Sequence, residues 1–459
     1  MAGLEGGSGI GKVPDDLAAQ AEAAPDLTAA AIDVIPPEIV AQSIGQYLRA
    51  WFVRVKAGDA GVLPVVAALV VVAIVFEIVT TNNVYLTPGN LVDLFDQSAV
   101  FIILALGEGF VLLLGEIDLS IGYVAAIGGI VAGLLVQPQA PPSDLFHNWP
   151  WWGAILAALL VCALIGALQG SIITRLRLPS FVVTLAGQMF WFGVMIIILG
   201  QAGGLSVGTG VTENVRAIYG IDYAYLDVWL SWAALAVVVV LIGSSMWRRD
   251  IGRRRNGLVA PPVGLTIAKI TFLAVAGTAL VVICNINRSQ GTLPIIGVPW
   301  VVPLVLAMVG GATLLLERTQ FGRHVYAVGG NPEAARRAGV GVGSIRTWAF
   351  ILSATTAGMG GIVAVSFQQG ITTNFNGGQE VLYAVAAAVI GGTSLMGGRG
   401  RAIHALLGGL TIGAIYNGLF QLGLPIEYQY IATGLVLLAA VSVDALARRN
   451  ATTGSMARV

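Results

Sequence analysis

Residues 104–136 read LALGEGFVLLL, GEIDLSIG and YVAAIGGIVAGLLV in succession. Two strongly apolar runs therefore enclose a short stretch, residues 115–122, in which Glu116 and Asp118 stand two residues apart. Apolar runs of about 18 residues or more recur along the chain, and a helix of that length crosses a bilayer. The acidic pair thus lies where hydrocarbon is expected on both sides.

The composition indicates the same class of protein. The 459 residues are 56% hydrophobic and 10% charged, whereas soluble domains carry about 25% charged residues. So few charges cannot cover a water-facing surface, and a helix satisfies its own backbone groups inside a bilayer. The sequence therefore predicts an all-α polytopic membrane protein.

The apolar runs predict about 12 transmembrane helices. They lie near residues 62–80, 97–115, 120–137, 151–173, 180–199, 228–247, 263–285, 300–316, 347–367, 380–396, 403–421 and 428–447. With the N-terminus in the cytoplasm, all but three of the 24 basic residues fall on the cytoplasmic side. Cytoplasmic loops are enriched in Lys and Arg, so both termini are predicted to be cytoplasmic.

The chain outside the spans divides into three parts. Residues 1–60 form a predicted cytoplasmic segment, disordered at first and then an amphipathic helix over residues 36–57. This helix either lies on the membrane surface or is a basic flank of the first span. A transmembrane domain over residues 61–447 contains a cytoplasmic loop at 317–346, and residues 448–459 form a cytoplasmic tail.

Charge and cysteine content exclude several classes of function. The net charge is zero, which gives no reason to expect a nucleic-acid partner. Cys162 and Cys284 both lie in apolar runs, where they act as small hydrophobic residues rather than as a disulfide framework. The sequence predicts no metal site and no ATP site, because the GGSGIGKV stretch near the start has Val13 where a phosphate-binding loop needs Ser or Thr.

The acidic pair in GEIDLSIG has two interpretations. It forms either an ion or proton site inside the membrane or a break at which one helix ends and the next begins. We favour the break, because Asp118 or Ser120 can cap the following helix. Glu108 is a further intramembrane acid. It either forms a hydrogen bond between helices in its protonated form or serves proton coupling.

The cytoplasmic loop contains GGNPEAARRAGVGVG, residues 329–343. Asn331 is a good N-cap, Pro332 suits the first helical position, and Gly339 can end a helix. The predicted short helix covers Asn331, Pro332, Glu333, Ala334, Ala335, Arg336, Arg337, Ala338 and Gly339. Because isolated helices this short are marginal in water, it packs either on another protein or on its own membrane domain.

A second glycine-rich stretch, GGTSLMGGRGR, occupies residues 391–401. Its glycines allow close backbone approach and unwound helix ends, although an ordinary tight turn is the alternative. Structural or gating residues are predicted at Gly391, Gly392, Thr393 and Ser394. The stretch also resembles GEIDLSIG, and each is followed by a similar motif, LRLPSF or LGLPIEY, which indicates a possible internal repeat.

Five stretches, in this order and spacing, resemble the membrane permease of bacterial ABC importers for sugars. They are GNLVDLFDQSAV, GEIDLSIG, LRLPSFVVTLAG, GGNPEAARRAG and GGTSLMGGRG, within roughly residues 85–447. Glu116, Gln169 in GALQG, and the extra span after RRDIGRRRNG are similar to the xylose-type permeases. Ribose-type members more often have Gly and Asn at those two positions.

The resemblance implies a role in transport without catalysis by this chain. It implies a homodimer with a second copy of the permease, an ABC ATPase subunit that holds ATP and Mg, and an extracellular or periplasmic sugar-binding protein. It also implies a multi-pass location in the bacterial plasma (inner) membrane and a docking role for residues 331–339 against the ATPase. No cofactor is expected in this chain.

A path for a sugar needs polar groups for its hydroxyls and an apolar surface for its C–H face. Candidates within the spans are Gln169, Gln188, Trp191, Tyr416, Asn417 and Gln421. The alternative for each is packing between helices. Two other classes stay open: a proton- or sodium-coupled secondary transporter that uses Glu108, Glu116 and Asp118, and a permease for branched-chain amino acids.

Overall fold

The structure is a computed structural model that describes residues 45, 46, 49, 61–138, 147–200, 203–208, 212–258, 260–289, 294–425, 427–432, 434, 435 and 438. These residues form helices and one two-stranded antiparallel sheet. The elements are α1 Leu63–Val79, α2 Pro88–Leu112, α3 Ile121–Val136, α4 Trp151–Leu176, α5 Ser180–Leu199, β1 Gly204–Ser206, α6 Glu213–Tyr223, α7 Val228–Arg255, α8 Val263–Asn285, α9 Val301–Arg318, α10 Gln320–Gly330, α11 Pro332–Arg337, α12 Val342–Phe367, β2 Gly370–Thr372, α13 Gly377–Gly391 and α14 Ala402–Gln421. A single turn of 3-10 helix, Thr81–Asn83, follows α1.

Eight of the described helices are long and apolar enough to cross a membrane, namely α2, α4, α5, α7, α8, α9, α12 and α14. Three shorter apolar helices are α1, α3 and α13. These eleven coincide with the first eleven predicted spans, so the all-α polytopic fold is confirmed. Most of the twelfth span, and nearly all of residues 1–60 and 448–459, lie outside the described residues.

Several predicted spans have different bounds in the structure, among them the spans predicted to begin at residues 97 and 380. The span predicted at 97–115 is a helix that begins at Pro88, directly after Thr87. The span predicted at 380–396 ends at Gly391, because Gly392 takes a left-handed conformation with φ of +114°. In both cases polar or glycine residues near one end of the helix made the bound assigned from hydropathy wrong.

The core is built around α2 and α12. Helix α12 packs against α2, α3 and α4, and α14 packs against α1, α2 and α13. Glycines allow α3 and α12 to approach closely: a Cβ on Gly128 would lie 2.6 Å from the Cα of Gly358, and one on Gly361 would lie 1.7 Å from the carbonyl oxygen of Ala125. Small residues at helix crossings are typical of membrane helix packing.

The chain separates into two compact units, which we describe individually. One contains residues 60–238 and 275–459, and the other contains residues 1–59 and 239–274. In the second unit the hydroxyl of Thr266, on α8, donates to a carboxylate oxygen of Asp250, on α7, at 2.7 Å. All the contacts of the site below belong to the first unit.

Candidate functional site

Residues 113–120, which we call the break segment, join α2 to α3 without helical structure. Gly115 turns the chain with a φ of +74°, a conformation that glycine adopts without strain. The N–H of Glu116 then donates to the carbonyl of Val111 at 3.1 Å. The structure thus agrees with a helix break at the acidic pair.

Asp118 organises the end of the break segment. Its Oδ1 accepts hydrogen bonds from the N–H of Ser120 at 3.0 Å and from the Ser120 hydroxyl at 2.6 Å. Its Oδ2 lies 3.5 Å from the hydroxyl of Ser353, on α12. Ser120 is the N-cap residue of α3, but its side chain does not bond an N–H of that helix. Asp118 therefore fixes the N-cap residue rather than the helix itself.

Two helices add polar groups to Asp118 and Ser120. From α2, Glu108 accepts a hydrogen bond from the N–H of Asp118 through Oε1 at 3.1 Å. From α4, the side-chain amide of Gln169 donates to the Ser120 hydroxyl at 2.9 Å. Glu108, Asp118 and Ser120 have no exposed surface. The other carboxylate oxygen of Glu108 has no hydrogen-bond partner among the described residues.

Glu116 faces a basic residue that is remote in the sequence. The Nε atom of Arg346, on the first turns of α12, lies 3.1 Å from Oε1 of Glu116. The Nε–H of Arg346 is not aligned for a hydrogen bond with that oxygen, so the contact is an ion pair between charges. The Glu116 side chain is 11% exposed and that of Arg346 is 32% exposed, which leaves the pair only partly screened by water.

The predicted gating residues form a compact turn. Residues 392–401, which we call the glycine-rich loop, connect α13 to α14. The N–H of Thr393 donates to the carbonyl of Ala388 at 2.9 Å, and the N–H of Ser394 donates to the carbonyl of Arg399 at 2.8 Å. Thr393 and Ser394 are buried. The loop is therefore a closed turn after α13, and the gating role of its residues stays a prediction.

The break segment, the glycine-rich loop and the end of α10 meet in one place, which we call the motif junction. The N–H of Gly398 donates to the carbonyl of Leu113 at 2.9 Å. The hydroxyl of Tyr326, on α10, donates to the carbonyl of Gly400 at 2.8 Å. A Cβ on Gly329 would lie 1.9 Å from the carbonyl oxygen of Leu113. Three stretches that the sequence analysis selected separately are thus in direct contact.

Helix α11 follows the motif junction and has the predicted caps. The side chain of Asn331 accepts from the N–H groups of Glu333 and Ala334 at 3.1 and 2.9 Å. Gly339 ends the helix with a φ of +85°. Of residues 331–339, Ala335 alone is buried. The helix is thus locally well formed and presents most of its surface to the outside of the described chain.

The candidate pathway residues do not form one site. Gln169 belongs to the polar cluster around Asp118. On α14, Asn417 exchanges hydrogen bonds with Asn90 of α2 at 2.8 and 3.1 Å, and Gln421 also donates to Asn90. Tyr416 has its ring centroid 5.6 Å from that of Phe101. These contacts pack helices against one another, and the place of Gln169, Tyr416, Asn417 and Gln421 on a substrate pathway stays a prediction.

The other two candidates, Gln188 and Trp191, lie on α5. The amide nitrogen of Gln188 would lie 3.1 Å from a Cβ on Gly378, at the start of α13. The ring of Trp191 stands edge-on to that of Phe190, with centroids 4.8 Å apart. The indole N–H of Trp191 is buried without a partner among the described residues. Their place on a substrate pathway stays a prediction.

The two halves of the predicted repeat have matching geometry. The break segment and the glycine-rich loop each connect two core helices, and they contact each other at the motif junction. Further along, Arg177 and Gly423 take left-handed conformations with φ of 56° and 62°. Each is followed two residues later by a proline, Pro179 or Pro425. This correspondence supports the internal repeat.

Residues 90–441 match the protein family described as branched-chain amino acid transport system / permease component. The chain belongs to this permease family. It is therefore a multi-pass integral protein of the bacterial inner membrane and a transport subunit rather than an enzyme.

Relatives of this permease are known in several bacteria. It is 31% identical to the xylose transport system permease protein of Escherichia coli strain K12 over 87% of this chain and 95% of that protein. It is 30% identical to the ribose import permease protein of the same strain, again over 87% and 95%. The D-allose transport system permease protein of that strain is 26% identical over 79% and 85%. No solved structure is significantly similar to the permease.

Sequence reasoning missed two residues of the permease site, Arg346 and Ser353. Both lie on α12 and reach the break segment from far along the chain: Ser353 and Asp118 are 235 residues apart. Their spacing of seven residues places them on one face of a helix, which is the one signal that links them. Among the described residues, no group of three or more His, Cys, Asp or Glu is suited to a metal ion.

Proposed function

We propose that this permease is the membrane subunit of an ATP-driven importer for a monosaccharide, with xylose or a related pentose as its substrate. The observation that carries the proposal is the similarity to a xylose permease over 95% of that protein's length. The ribose and allose permeases among its relatives support a sugar. The family description names amino acid transport, so branched-chain amino acids are the competing substrate.

In this proposal the permease works with other subunits. A second copy of the chain would complete the pathway, an extracellular or periplasmic binding protein would deliver the sugar, and an ABC ATPase would bind ATP and Mg. The exposed, capped helix α11 supports the ATPase contact, because a helix this short needs a partner to stay rigid. Its ion pairs from Glu333 to Arg336 and Arg337, at 3.0 and 3.5 Å, are exposed and add little.

The test is uptake of radiolabelled xylose into proteoliposomes. The permease is reconstituted alone, with its neighbouring ATPase, with the neighbouring binding protein, and with both. We expect uptake only with both partners and with ATP on the ATPase side, and no effect of a protonophore. Unlabelled ribose, allose and leucine as competitors define the substrate. Competition by leucine but not by sugars would reject the sugar assignment.

A proton-coupled transporter is the second candidate. The observation that favours it is that the Glu108 carboxylate accepts a hydrogen bond from the backbone N–H of Asp118, and that neither of these acidic residues has exposed surface. Intramembrane acids of this kind serve proton transfer in many pumps and transporters. Uptake by the permease alone, abolished by a protonophore, would establish this mechanism in place of the ATP-driven one.

The role of α11 has its own test. Asn331→Ala removes the N-cap, which costs a helix about 1 kcal/mol, and we expect weaker co-purification of the ATPase with the permease. Asn331→Ser is the matched control, since serine also caps helices well. Equal loss in both variants would show that the Asn331 side chain itself, and not the cap, matters for the ATPase contact.

A further inference from the structure

The break segment contacts α12 through two of its residues, and α12 follows α11 in the chain. On one side Glu116 contacts Arg346, and on the other Asp118 contacts Ser353; both partners belong to α12. Because Arg346 and Ser353 are seven residues apart, they project from the same face of that helix. Helix α12 therefore contacts the break segment at two points, about two turns apart.

Helix α12 is in turn connected closely to α11. Residues 338–341 separate the two helices. This connection is tight, since the N–H of Val340 donates to the carbonyl of Ala335 at 3.0 Å and the N–H of Val342 to the carbonyl of Val340 at 2.9 Å. A displacement of α11 must therefore move the first turns of α12, where Arg346 lies.

The two contacts with α12 differ in strength. Asp118 is fully buried and also bonded to Ser120 and Glu108, so the break segment is fixed to the core at this point. The Glu116–Arg346 pair lacks an aligned hydrogen bond and is nearer to solvent. Such a pair separates more readily than a bonded, buried one.

We propose that the ion pair between Glu116 and Arg346 is a positioning contact that transmits movement of α11 through α12 to the break segment. This inference rests on the proposed function, in which an ATPase moves α11. Asp118, Ser120 and Glu108 form the fixed point about which the segment turns. Neither Glu116 nor Arg346 needs to touch the sugar.

Charge reversal tests the proposal in the complete complex with ATPase and binding protein. We measure the xylose taken up per ATP hydrolysed for Glu116→Arg, for Arg346→Glu and for the double exchange. Each single variant should lower this ratio about tenfold, a size typical of coupled neighbours, while the ATPase stays bound and active. The double exchange restores opposite charges, and we expect a ratio within about threefold of the wild type.

The control is a second ion pair, between Glu317 and Arg401, whose Oε1 and Nε atoms are 3.4 Å apart. The single reversal Glu317→Arg should leave the ratio within about twofold, because exposed pairs contribute little. A loss there as large as at Glu116 and Arg346 would overturn the proposal, since any charge reversal would then uncouple transport.

The outcomes separate this inference from the proposed function. Single variants with the wild-type ratio, or a double exchange no better than the worse single variant, would overturn the inference alone. If a charge reversal prevents co-purification of the ATPase, the neutral variants Glu116→Gln and Arg346→Gln are measured instead. A wild-type ratio of xylose to ATP in these neutral variants would also overturn the inference alone. Wild-type uptake without any ATPase would reject the proposed function and the inference together.

Discussion

Buried acidic residues lie at both ends of α2, but their hydrogen-bond partners differ between the two ends. At the C-terminal end, Glu108 accepts a hydrogen bond from the backbone of Asp118, and Asp118 is bonded by Ser120. At the N-terminal end, Asp96 has a carboxylate oxygen without a partner among the described residues, and so does the nearby Asp222 of α6. Buried polar groups are normally hydrogen-bonded. Among the described residues, the C-terminal end leaves one carboxylate oxygen without a partner, on Glu108, and the N-terminal end leaves two, on Asp96 and Asp222, so the N-terminal end is the less satisfied of the two.

A basic residue, Arg288, lies near the acids at the N-terminal end of α2, but its hydrogen bonds go to other groups. Arg288 donates to the carbonyl groups of Cys284 and Gly297. Its guanidinium carbon lies 5.0 Å from the centroid of the Tyr225 ring, which is within the range of a cation–π contact. The acids at this end therefore depend on longer-range attraction, whereas those at the motif junction have short bonds.

The two ends of α2 should therefore respond differently to mutation and to pH. The motif junction relies on close backbone contacts and specific bonds, so added volume or a lost acceptor should destabilise it strongly. The opposite end carries uncompensated acids, so its stability should depend on pH.

The largest effect is expected from added volume at the motif junction. In Gly329→Ala, the new Cβ would lie 1.9 Å from the carbonyl oxygen of Leu113 and 2.7 Å from the N–H nitrogen of Gly398. Both are backbone atoms, so the junction must open. We expect a loss of about 2–3 kcal/mol in stability, seen as a lower melting temperature of the purified permease in detergent.

The neighbouring glycine provides the matched control. A Cβ on Gly330 would meet nothing within 4 Å, and alanine favours helix over glycine by up to about 1 kcal/mol. Gly330→Ala should therefore leave the melting temperature unchanged or raise it slightly. Equal melting temperatures for the two variants would show that the motif junction is loosely packed, and the comparison between the ends would lose its basis.

A smaller effect is expected from the hydrogen bond of Glu108. Glu108→Leu leaves the buried N–H of Asp118 without its acceptor, at a cost of about 1–3 kcal/mol. Glu108→Gln keeps an oxygen in the same place and should be close to the wild type in melting temperature. If the leucine variant is as stable as the glutamine variant, the bond from Asp118 does not hold the break segment.

Much of the fold follows from the sequence because apolar runs predict membrane helices directly. The differences occur where polar residues enter such a run. Asn90, Asp93 and Asp96 lower the hydropathy at the start of α2, so the run was predicted to begin later than Pro88. The short helices α6 and α10 and the strands β1 and β2 were not predicted, since they lie outside the apolar runs from which the spans were assigned.

The motif junction was only partly predictable. GEIDLSIG and the cap of α11 are local features, and local rules assign a break and a helix end to them correctly. The contact of Glu116 with Arg346 depends on how α12 packs against the core, and one sequence does not contain that information. The hydrogen bonds of Asn417 and Gln421 with Asn90 depend on helix packing in the same way, and the place of these two residues on a pathway stays a prediction.

The acids at the N-terminal end of α2 were missed because they come from separate parts of the chain. Asp222 lies outside the membrane-spanning helices, and burial, followed by the charge of Asp93, raises its pKa from an ordinary value of 3.8 to about 7. Asp222 belongs to no recognisable motif, whereas Asp93 and Asp96 lie in the GNLVDLFDQSAV stretch. Helix α6 packs on α12, and α12 packs against α2, so the acids come near each other through an arrangement that sequence spacing does not reveal.

The smallest predicted effect concerns the pH dependence that follows from Asp222. Because the folded chain binds this proton more tightly than the unfolded chain, stability falls as the pH rises from about 4 to about 7 and then levels off. Asp222→Asn removes the titration, so the melting temperature of this variant should rise relative to that of the wild type between pH 6 and pH 8. We expect a relative change on the order of 1 kcal/mol. Parallel melting curves at all pH values would mean that Asp222 is ionised in the folded permease, and that both ends of α2 satisfy their acids equally well.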